Sequence, residues 1–594
     1  MSDGYRKSVQ DKYFSDDRGI LYRRDPLKDS SGCADTPIAN FTPELVEQRR
    51  IDDGFEIKDT TLFSAYRNGT HEPPVALEKK DMISNQPHAK FSPGCRIYLG
   101  RGYTASVGEM MAMQCEDAEV KTVYAHTGFV KCGDQRIFLN GDYSVTSEGL
   151  TDRYTVELDP DLKRCYRFID ADVAPGECFK TLLELMPEVA PNGLLIPSLA
   201  YVFLSPLNAM LRERGMEPSF SYYLIGKTGS YKSSWAKVLL CFFGKLNYAE
   251  TAPITFLDTK NAIGRKLALG CDMPLLLDDR RPTNNSRDRE QYEGIEKFVS
   301  SAIGDRAARG RLNADSSAKM SYIARCNLIV TAEEAFQNIG SSAIARSVSV
   351  ELQPDTVNFA KLMELQDKSV QLNKIMQLYI QWIIRNYDSI TQGVEKRIGA
   401  YRQAFSNAGH PRLATAFAYL SLGYDMLLDF LKAVKQIDDN AATQMQNTAR
   451  GVFLAMCEKQ SERVDNDRPT KLFVSLLHDL LETKQVKLCD LREQRIGDTI
   501  VNPPVPTEST VGYRDGNYIY LIANVAYTAV YQYYSRTGNT FPASPSALWK
   551  QFADEGKLLY DGKRVDRRKQ INGKTGRYIT LLSNVLDEFD EKEE

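Results

Sequence analysis

The stretch SYYLIGKTGSYKSSWAKVLLCFFG holds the residues best placed to do chemistry. An apolar run ends at Ile225. Gly226, Lys227, Thr228, Gly229, Ser230, Tyr231, Lys232, Ser233 and Ser234 follow, and a helical pattern begins. The spacing is that of a phosphate-binding loop, G-x-x-x-x-G-K-[ST], with Tyr231 where the second glycine is usual. Backbone N–H groups at the start of a helix attract an anion there. Lys232 would reach the β- and γ-phosphates of ATP, and the Ser233 hydroxyl would ligate Mg²⁺. The plain alternative is a Gly-rich turn between a strand and a helix.

An acidic partner lies 46 residues beyond Lys232. MPLLLDDRR places Asp278 and Asp279 at the end of an apolar run. In a parallel sheet, ligands sit outside the carboxyl ends of the strands. Asp278 would hold Mg²⁺, directly or through water, and Asp279 would orient or deprotonate the attacking water. Taken alone, such a run is also a strand ending in a solvated turn. A third run, CNLIVTAEE, ends at Thr331 and Glu333, where a polar side chain could sense the γ-phosphate. A fourth, ARSVSVEL, begins just after Arg346. Arg346 is either a surface charge or an arginine finger that reaches a neighbouring subunit's ATP.

Positioning these groups needs several elements. Between residues 176 and 355 short apolar runs alternate with longer helical stretches, the rhythm of an α/β layer with a parallel sheet. Residues 1–75 are polar and charged, and are expected to be partly extended or disordered. Residues 76–175 contain β-branched and aromatic runs split by Gly-Asp, Asn-Gly and Asp-Pro turns, which predict a small β-rich lobe; RIYLGRGY counts among them. Residues 356–465 read as helical. PPVPTEST, near 503, reads as a linker, and residues 466–594 as a last small domain with an acidic tail.

The 594 residues, 42% apolar and 26% charged, exclude whole-chain disorder and fibrous repeats. With 75 basic against 78 acidic residues, any polyanion must meet a local patch. Eleven cysteines without a C-x-x-C pair and five scattered histidines predict reduced thiols in a cytoplasmic protein, with no structural zinc. The charged N-terminal residues do not read as a signal peptide. The most apolar stretch, Leu194 to Leu211, contains Pro197 and Pro206, and reads as a buried segment, not a membrane span.

Residues 120–355 resemble a family of AAA+ ATPases carried by plasmids, phages and staphylococcal mobile elements. Its members are self-loading replicative helicases related to the minichromosome maintenance proteins. YAHTGFVKCGDQRIFLNGDYSV with RYTVEL resembles the family's N-terminal lobe, GKTGSYKSS its P-loop, and LLLDDRRP its acidic motif. GDRAARGRLNADSS, NLIVTAEE and SSAIARSVSVEL resemble its hairpin, sensor and arginine-finger run. HPRLATAFAYLSLGYD resembles its second sensor helix, which would make Arg412 an ATP contact. Asp279 departs from the pattern, since a Glu is common there. The resemblance implies a multidomain α/β chain: a P-loop AAA+ core, a β-rich N-terminal lobe, a helical lid and a C-terminal winged helix. It also implies a homo-oligomeric, hexameric ring acting as a DNA helicase in replication. An ATP-regulated origin-binding or loader protein is the alternative, and a P-loop kinase a third reading.

Two basic stretches are candidates for DNA. Arg306, Arg309, Arg311 and Lys319 lie in RAARGRLNADSSAK, which is either a channel hairpin gripping phosphates or a solvated basic loop. Near the end of the sequence, SPSALWKQFADEGKLLY reads as an amphipathic helix. Lys563, Arg564, Arg567, Arg568, Lys569, Lys574 and Arg577 then fall on a β-wing. Helix plus wing suits duplex or forked DNA, or alternatively a protein partner; the chain as a whole is expected to meet single-stranded as well as forked or duplex DNA.

Overall fold

Five parallel strands form the central sheet of this computed structural model. Their spatial order is Ile254–Thr255, Pro274–Arg280, Asn327–Ala332, Ser221–Ile225 and Ser347–Glu351. The first strand in sequence is thus fourth across the sheet, between the last two. The strands are mostly apolar and largely buried, as expected of a parallel sheet; Asn327–Ala332 is buried at every residue. The structure describes residues 12–26, 32–84, 86–245, 252–306, 311–312, 318–319, 322–334, 341–492, 494–496, 499–501, 507–536, 541–571 and 573–587.

The apolar stretch after residue 190 is a core helix, Asn192–Leu204, continued by Ser205–Leu207 and Asn208–Glu213. By length and composition it could cross a membrane, yet its most apolar window is entirely buried. Several of its polar groups are paired inside: the Trp235 indole N–H donates to Ser198 Oγ at 3.0 Å, and Asn208 donates to Asn327 at 3.1 Å.

Helices Phe359–Asp367, Ser369–Arg385, Tyr387–Phe405, Pro411–Ala433 and Asp439–Asn466 occupy the expected helical region. Their apolar side chains join the same continuous core as the sheet. Pro411–Ala433 lies so close to Asn192–Leu204 that a Cβ at Gly423 would stand 2.2 Å from the Ala200 carbonyl oxygen. The helices therefore pack as a wall of the core.

The N-terminal region departs from expectation. Described residues from 12 to 77 form strands. Tyr13–Ser15, Leu21–Pro26 and Cys33–Ala39 make an antiparallel sheet. The eleven-residue strands Thr42–Asp52 and Ile57–Arg67 pair with each other. The first also pairs in parallel with Val120–Tyr124, so residues on either side of position 75 share one sheet. The charges that suggested disorder sit on the solvent side and pair, as in Arg24–Asp35 at 2.8 Å and Arg50–Asp59 at 3.0 Å. The opposite side supplies Ile38, Phe41, Phe63 and Leu77 to a core. RIYLGRGY is not a strand either: it leads into helix Tyr103–Cys115, entered through Gly102 at φ 78°.

The C-terminal module has its own apolar core. Its sheet runs in the order Lys487–Asp490, Thr510–Arg514, Tyr518–Leu521, Lys574–Leu582 and Asp566–Ile571. Helices Pro469–Glu482, Ala523–Arg536 and Pro545–Asp554 pack on it; the last buries Leu548, Trp549 and Phe552. The first half of PPVPTEST, residues 503–506, falls outside the described residues. Lys487–Asp490 before it and Thr510–Arg514, which starts at its last residue, pair in parallel, so it connects parts of one module and does not link two.

Candidate active site

The buried strand Ser221–Ile225 delivers the loop 226–231 to the carboxyl end of the sheet, and helix Lys232–Leu240 leaves it. Gly226 has no room for a side chain, because a Cβ would lie 2.6 Å from the Leu352 carbonyl oxygen. Tyr231 takes φ 58°, the left-handed conformation that explains why glycine is usual there. That conformation costs a non-glycine residue roughly 1–2 kcal/mol. Stacking offsets part of it: the Tyr231 ring lies on Phe359 with centroids 5.1 Å apart and planes 23° apart.

Lys227, Thr228 and Gly229 are exposed, and Ser234 is half-buried on the first helical turn. Ser230 is buried, and among the described residues its Oγ has no hydrogen-bond partner. Lys232 is only 7% exposed, and among the described residues no carboxylate pairs with it. A buried ammonium without a carboxylate partner is costly, and an anion bound at the loop would offset that cost.

The acidic strand faces this loop. Ser233 Oγ donates to Asp278 Oδ1 at 2.8 Å, and Thr331 Oγ1 donates to the same oxygen. Thr331 Oγ1 in turn accepts the Asp279 N–H at 2.9 Å. Ser233, Asp278 and Thr331 are thus gathered at one point from three elements. One hydroxyl and one carboxylate are what Mg²⁺ takes from a protein when phosphates and water complete its shell. Glu333, two residues past Thr331, accepts a hydrogen bond from Thr228 and ties the loop to the neighbouring strand.

Asp279 behaves differently from Asp278. A register shift between Leu277 and Arg280 puts it at φ 74°, and its carboxylate pairs with the exposed Arg281. The same irregularity turns Arg280 inward, 3.5 Å from the fully buried Glu296. The motif DDRR gave no sign of these two arginine partnerships, because the bulge that separates them depends on the neighbouring strand.

The two arginines assigned to ATP lie elsewhere. Arg346 pairs with Asp305 at 2.5 Å, and its carbonyl accepts the Ser221 N–H at 3.1 Å. It stands at the amino end of the sheet, with Ser221 paired to Ser347 and Ile225 to Glu351. The phosphate loop lies beyond the other end, roughly 16 Å along the strand. Arg412 is exposed and donates to Ser342 Oγ at 3.4 Å, four residues before Arg346. The structure does not bring it to the phosphate loop of its own chain.

No family model matches the sequence, and no curated protein matches it. Among solved structures, the SCCmec type IV Cch active helicase is similar, with a TM-score of 0.60 at 13% identity. It aligns over 97% of this chain and 99% of that one. The likeness is one of fold, and it runs the length of both chains. Two structures of JCV helicase also align, with TM-scores of 0.20 and 0.19 at 12% and 13% identity. They cover 47% and 40% of this chain, and 72% and 73% of theirs; scores this low carry no argument.

The basic surfaces are sorted by their partners. Arg306 is withdrawn from the DNA set: its guanidinium donates to the carbonyls of Ala324, Cys326 and Pro218 at 2.7, 3.2 and 2.5 Å. It fastens backbone segments together. Arg309 lies outside the described residues. Arg311–Leu312 and Ala318–Lys319 pair as antiparallel strands, with Arg311 opposite Lys319. On the C-terminal hairpin, Arg577 makes a two-point pair with Asp566 at 2.9 and 3.0 Å. Lys569 reaches Asp515 at 3.0 Å and lies 3.7 Å over the Tyr520 ring. Both charges are matched within the module and leave the DNA set. Lys563, Arg564, Arg568 and Lys574 are exposed, Arg567 is half-buried, and among the described residues none of the five pairs with a carboxylate.

Proposed function

We propose that the chain is an ATP-driven DNA helicase that assembles as a hexameric ring and serves the replication of a mobile element or phage. The observation that carries the ATPase part is Lys232, buried with no carboxylate partner among the described residues, next in sequence to Ser233 of the Ser233–Asp278–Thr331 cluster. The strand order supports an AAA+ core, with the loop strand between the last two strands and the acidic strand beyond. The fold shared with the Cch helicase supports the rest.

In this reading Lys232 and the backbone of residues 226–231 bind and orient the phosphates. Ser233 and Asp278 would hold Mg²⁺, which supplies charge at the phosphate oxygens. Thr331 fixes the Asp278 carboxylate, and Asp279 takes the proton of the attacking water. Arg346, at the far end of its own sheet, serves a neighbour's ATP and stabilises charge on the transferring group. The Arg311–Lys319 hairpin and the winged helix with its free wing cations contact phosphates of single-stranded, forked or duplex DNA.

Lys232→Ala is expected to abolish ATP hydrolysis and strand separation while leaving the thermal unfolding midpoint within about 2 °C. Steady-state phosphate release and a forked-duplex assay check this. Turnover like that of the unmodified protein would refute the nucleotide site.

A further inference from the structure

Helix Ser286–Gly304 buries a stripe of Ile295, Glu296, Val299, Ala302 and Ile303. The spacing is that of one helix face, with a carboxylate among four apolar side chains. That carboxylate meets Arg280: the arginine Nε lies 3.5 Å from Glu296 Oε2, and both side chains are buried. A charge in such a place is costly without its partner. Leaving one member of the pair alone is worse than replacing both by apolar groups.

The strand register shows what the pair holds. Leu277 stands opposite Val330 and Arg280 opposite Ala332, so Asp278 and Asp279 together span the position of Thr331. In an unbroken strand Asp279 would stand opposite Ala332, on the face shared by Leu277, Val330 and Tyr223. Helix Ser286–Gly304 packs on that face. The extra residue puts Arg280 there instead, and Asp279 moves out, at φ 74° with its side chain 37% exposed. Burial, and next the Glu296 carboxylate, push the Tyr223 phenol well above its ordinary range, so Glu296 is within electrostatic reach of the phosphate-loop strand as well.

The two aspartates are held in different ways. Asp278 has hydroxyl anchors in Ser233 and Thr331. Asp279 pairs with Arg281, which is 68% exposed, and an ion pair so open to water fixes a carboxylate weakly. The direction of Asp279 is therefore set by its backbone, and the backbone by the inward seat of Arg280. The Arg280 carbonyl also accepts the Glu333 N–H at 2.9 Å, and Glu333 accepts from Thr228 of the phosphate loop. We propose that Glu296 is a positioning residue for hydrolysis: by holding Arg280 inward it fixes the bulge that aims Asp279 at the attacking water. The proposal rests on the reading of Asp279 as the acceptor of that water's proton.

The test is a double-mutant cycle on the full chain, with kcat per bound nucleotide and KM for ATP read by phosphate release. Asp279→Asn alone tests the underlying reading, and turnover equal to that of the unmodified protein would refute that reading. With Asp279→Asn slow, Glu296→Gln is expected to lower kcat at least about tenfold while KM changes less than about threefold. Glu296→Gln/Asp279→Asn should turn over within about threefold of Asp279→Asn, because both changes act through one group. Arg280→Met/Glu296→Leu keeps a side chain seated on the buried face without a charge, and should regain kcat to within about threefold of the unmodified protein. Losses that multiply in the cycle, an effect on KM in place of kcat, an unchanged kcat in Glu296→Gln, or no recovery in the apolar pair would each overturn the proposal and leave Arg280 and Glu296 a packing feature. If Glu296→Gln does not fold, Glu296→Asp, which keeps the charge and shortens the reach, carries the same cycle under the same criteria.

Discussion

Tyr231 holds a backbone conformation that glycine adopts freely, and its ring is stacked on Phe359 of the helical wall. The phosphate loop is thereby tied to a second part of the core by a side chain that a glycine could not provide. Tyr231→Gly is expected to retain nucleotide binding within about threefold, since relief of the left-handed strain offsets the lost stacking, worth roughly 0.5–1.5 kcal/mol. Tyr231→Val loses the stacking and keeps a β-branched residue at positive φ, and should weaken binding tenfold or more. Titration with a fluorescent ATP analogue separates the two; equal affinities would mean that the backbone conformation is not what matters here. Asp279→Asn is expected to keep nucleotide affinity and slow hydrolysis at least tenfold, because Ser233, Asp278 and Thr331 remain joined. Loss of affinity instead would exchange the roles of the two aspartates.

The strand hairpin of the N-terminal module is one of the elements that tie that module to the core. Its tip, Asp53 to Glu56, sits on Arg325. The guanidinium donates to the carbonyls of Gly54, Asp53 and Ala268 at 3.1, 3.1 and 3.0 Å and lies 4.1 Å from the Phe55 ring centroid. Tyr322 adds a hydrogen bond to Asp53 at 3.1 Å. Gly54 is at φ 78°, and a Cβ would meet Arg325 at 2.5 Å; Gly69 is at φ 77° with open space around it. Gly69→Ala should therefore cost only the backbone strain, about 1–2 kcal/mol. Gly54→Ala should cost more, because Arg325 must also move, and its unfolding midpoint in a thermal scan should be the lower of the two. The reverse order would show that the tip is not seated. This hairpin was not legible in the sequence. Its long strands carry charges on the solvent side, and cross-strand ion pairs such as Arg50–Asp59 look like polar disorder when read along the chain. The core strands were legible because burial on both faces makes them uninterrupted apolar runs bounded by polar turns. Within the site, Ser233 and Asp278, which the motif spacing paired, share a hydrogen bond. The spacing could not distinguish cations such as Lys563 from Arg306 or Arg577, whose partners lie 18 or 11 residues away on other segments.

At the scale of the molecule, the sheet separates two groups that the proposed chemistry needs together. The phosphate loop crowns its carboxyl end, and Arg346, with Arg412 close to the same segment, lies at its amino end. In the proposed chemistry one copy would not complete its own site, and the arginine would act on an adjacent copy. Mixing Arg346→Ala subunits with Lys232→Ala subunits should restore part of the hydrolysis that each lacks alone, because some interfaces then join an intact loop to an intact arginine. The check is phosphate release across mixing ratios in samples shown by mass photometry to have assembled. No recovery at any ratio would leave Arg346 a structural partner of Asp305.

The strand order also governs how the protein is made. Ser221–Ile225 is flanked by Asn327–Ala332 and Ser347–Glu351, which leave the ribosome about a hundred or more residues later. At roughly 5–20 residues per second this leaves the loop strand without neighbours for several seconds to tens of seconds. During that interval its hydrogen-bonding edges and the apolar helix Asn192–Leu204 await partners that do not yet exist. The N-terminal sheets draw their strands from residues 13–156 and can close first. Translation that stalls between residues 225 and 347 would release an unpaired strand edge beside an apolar helix, so the nascent chain has its greatest need of a chaperone over that span.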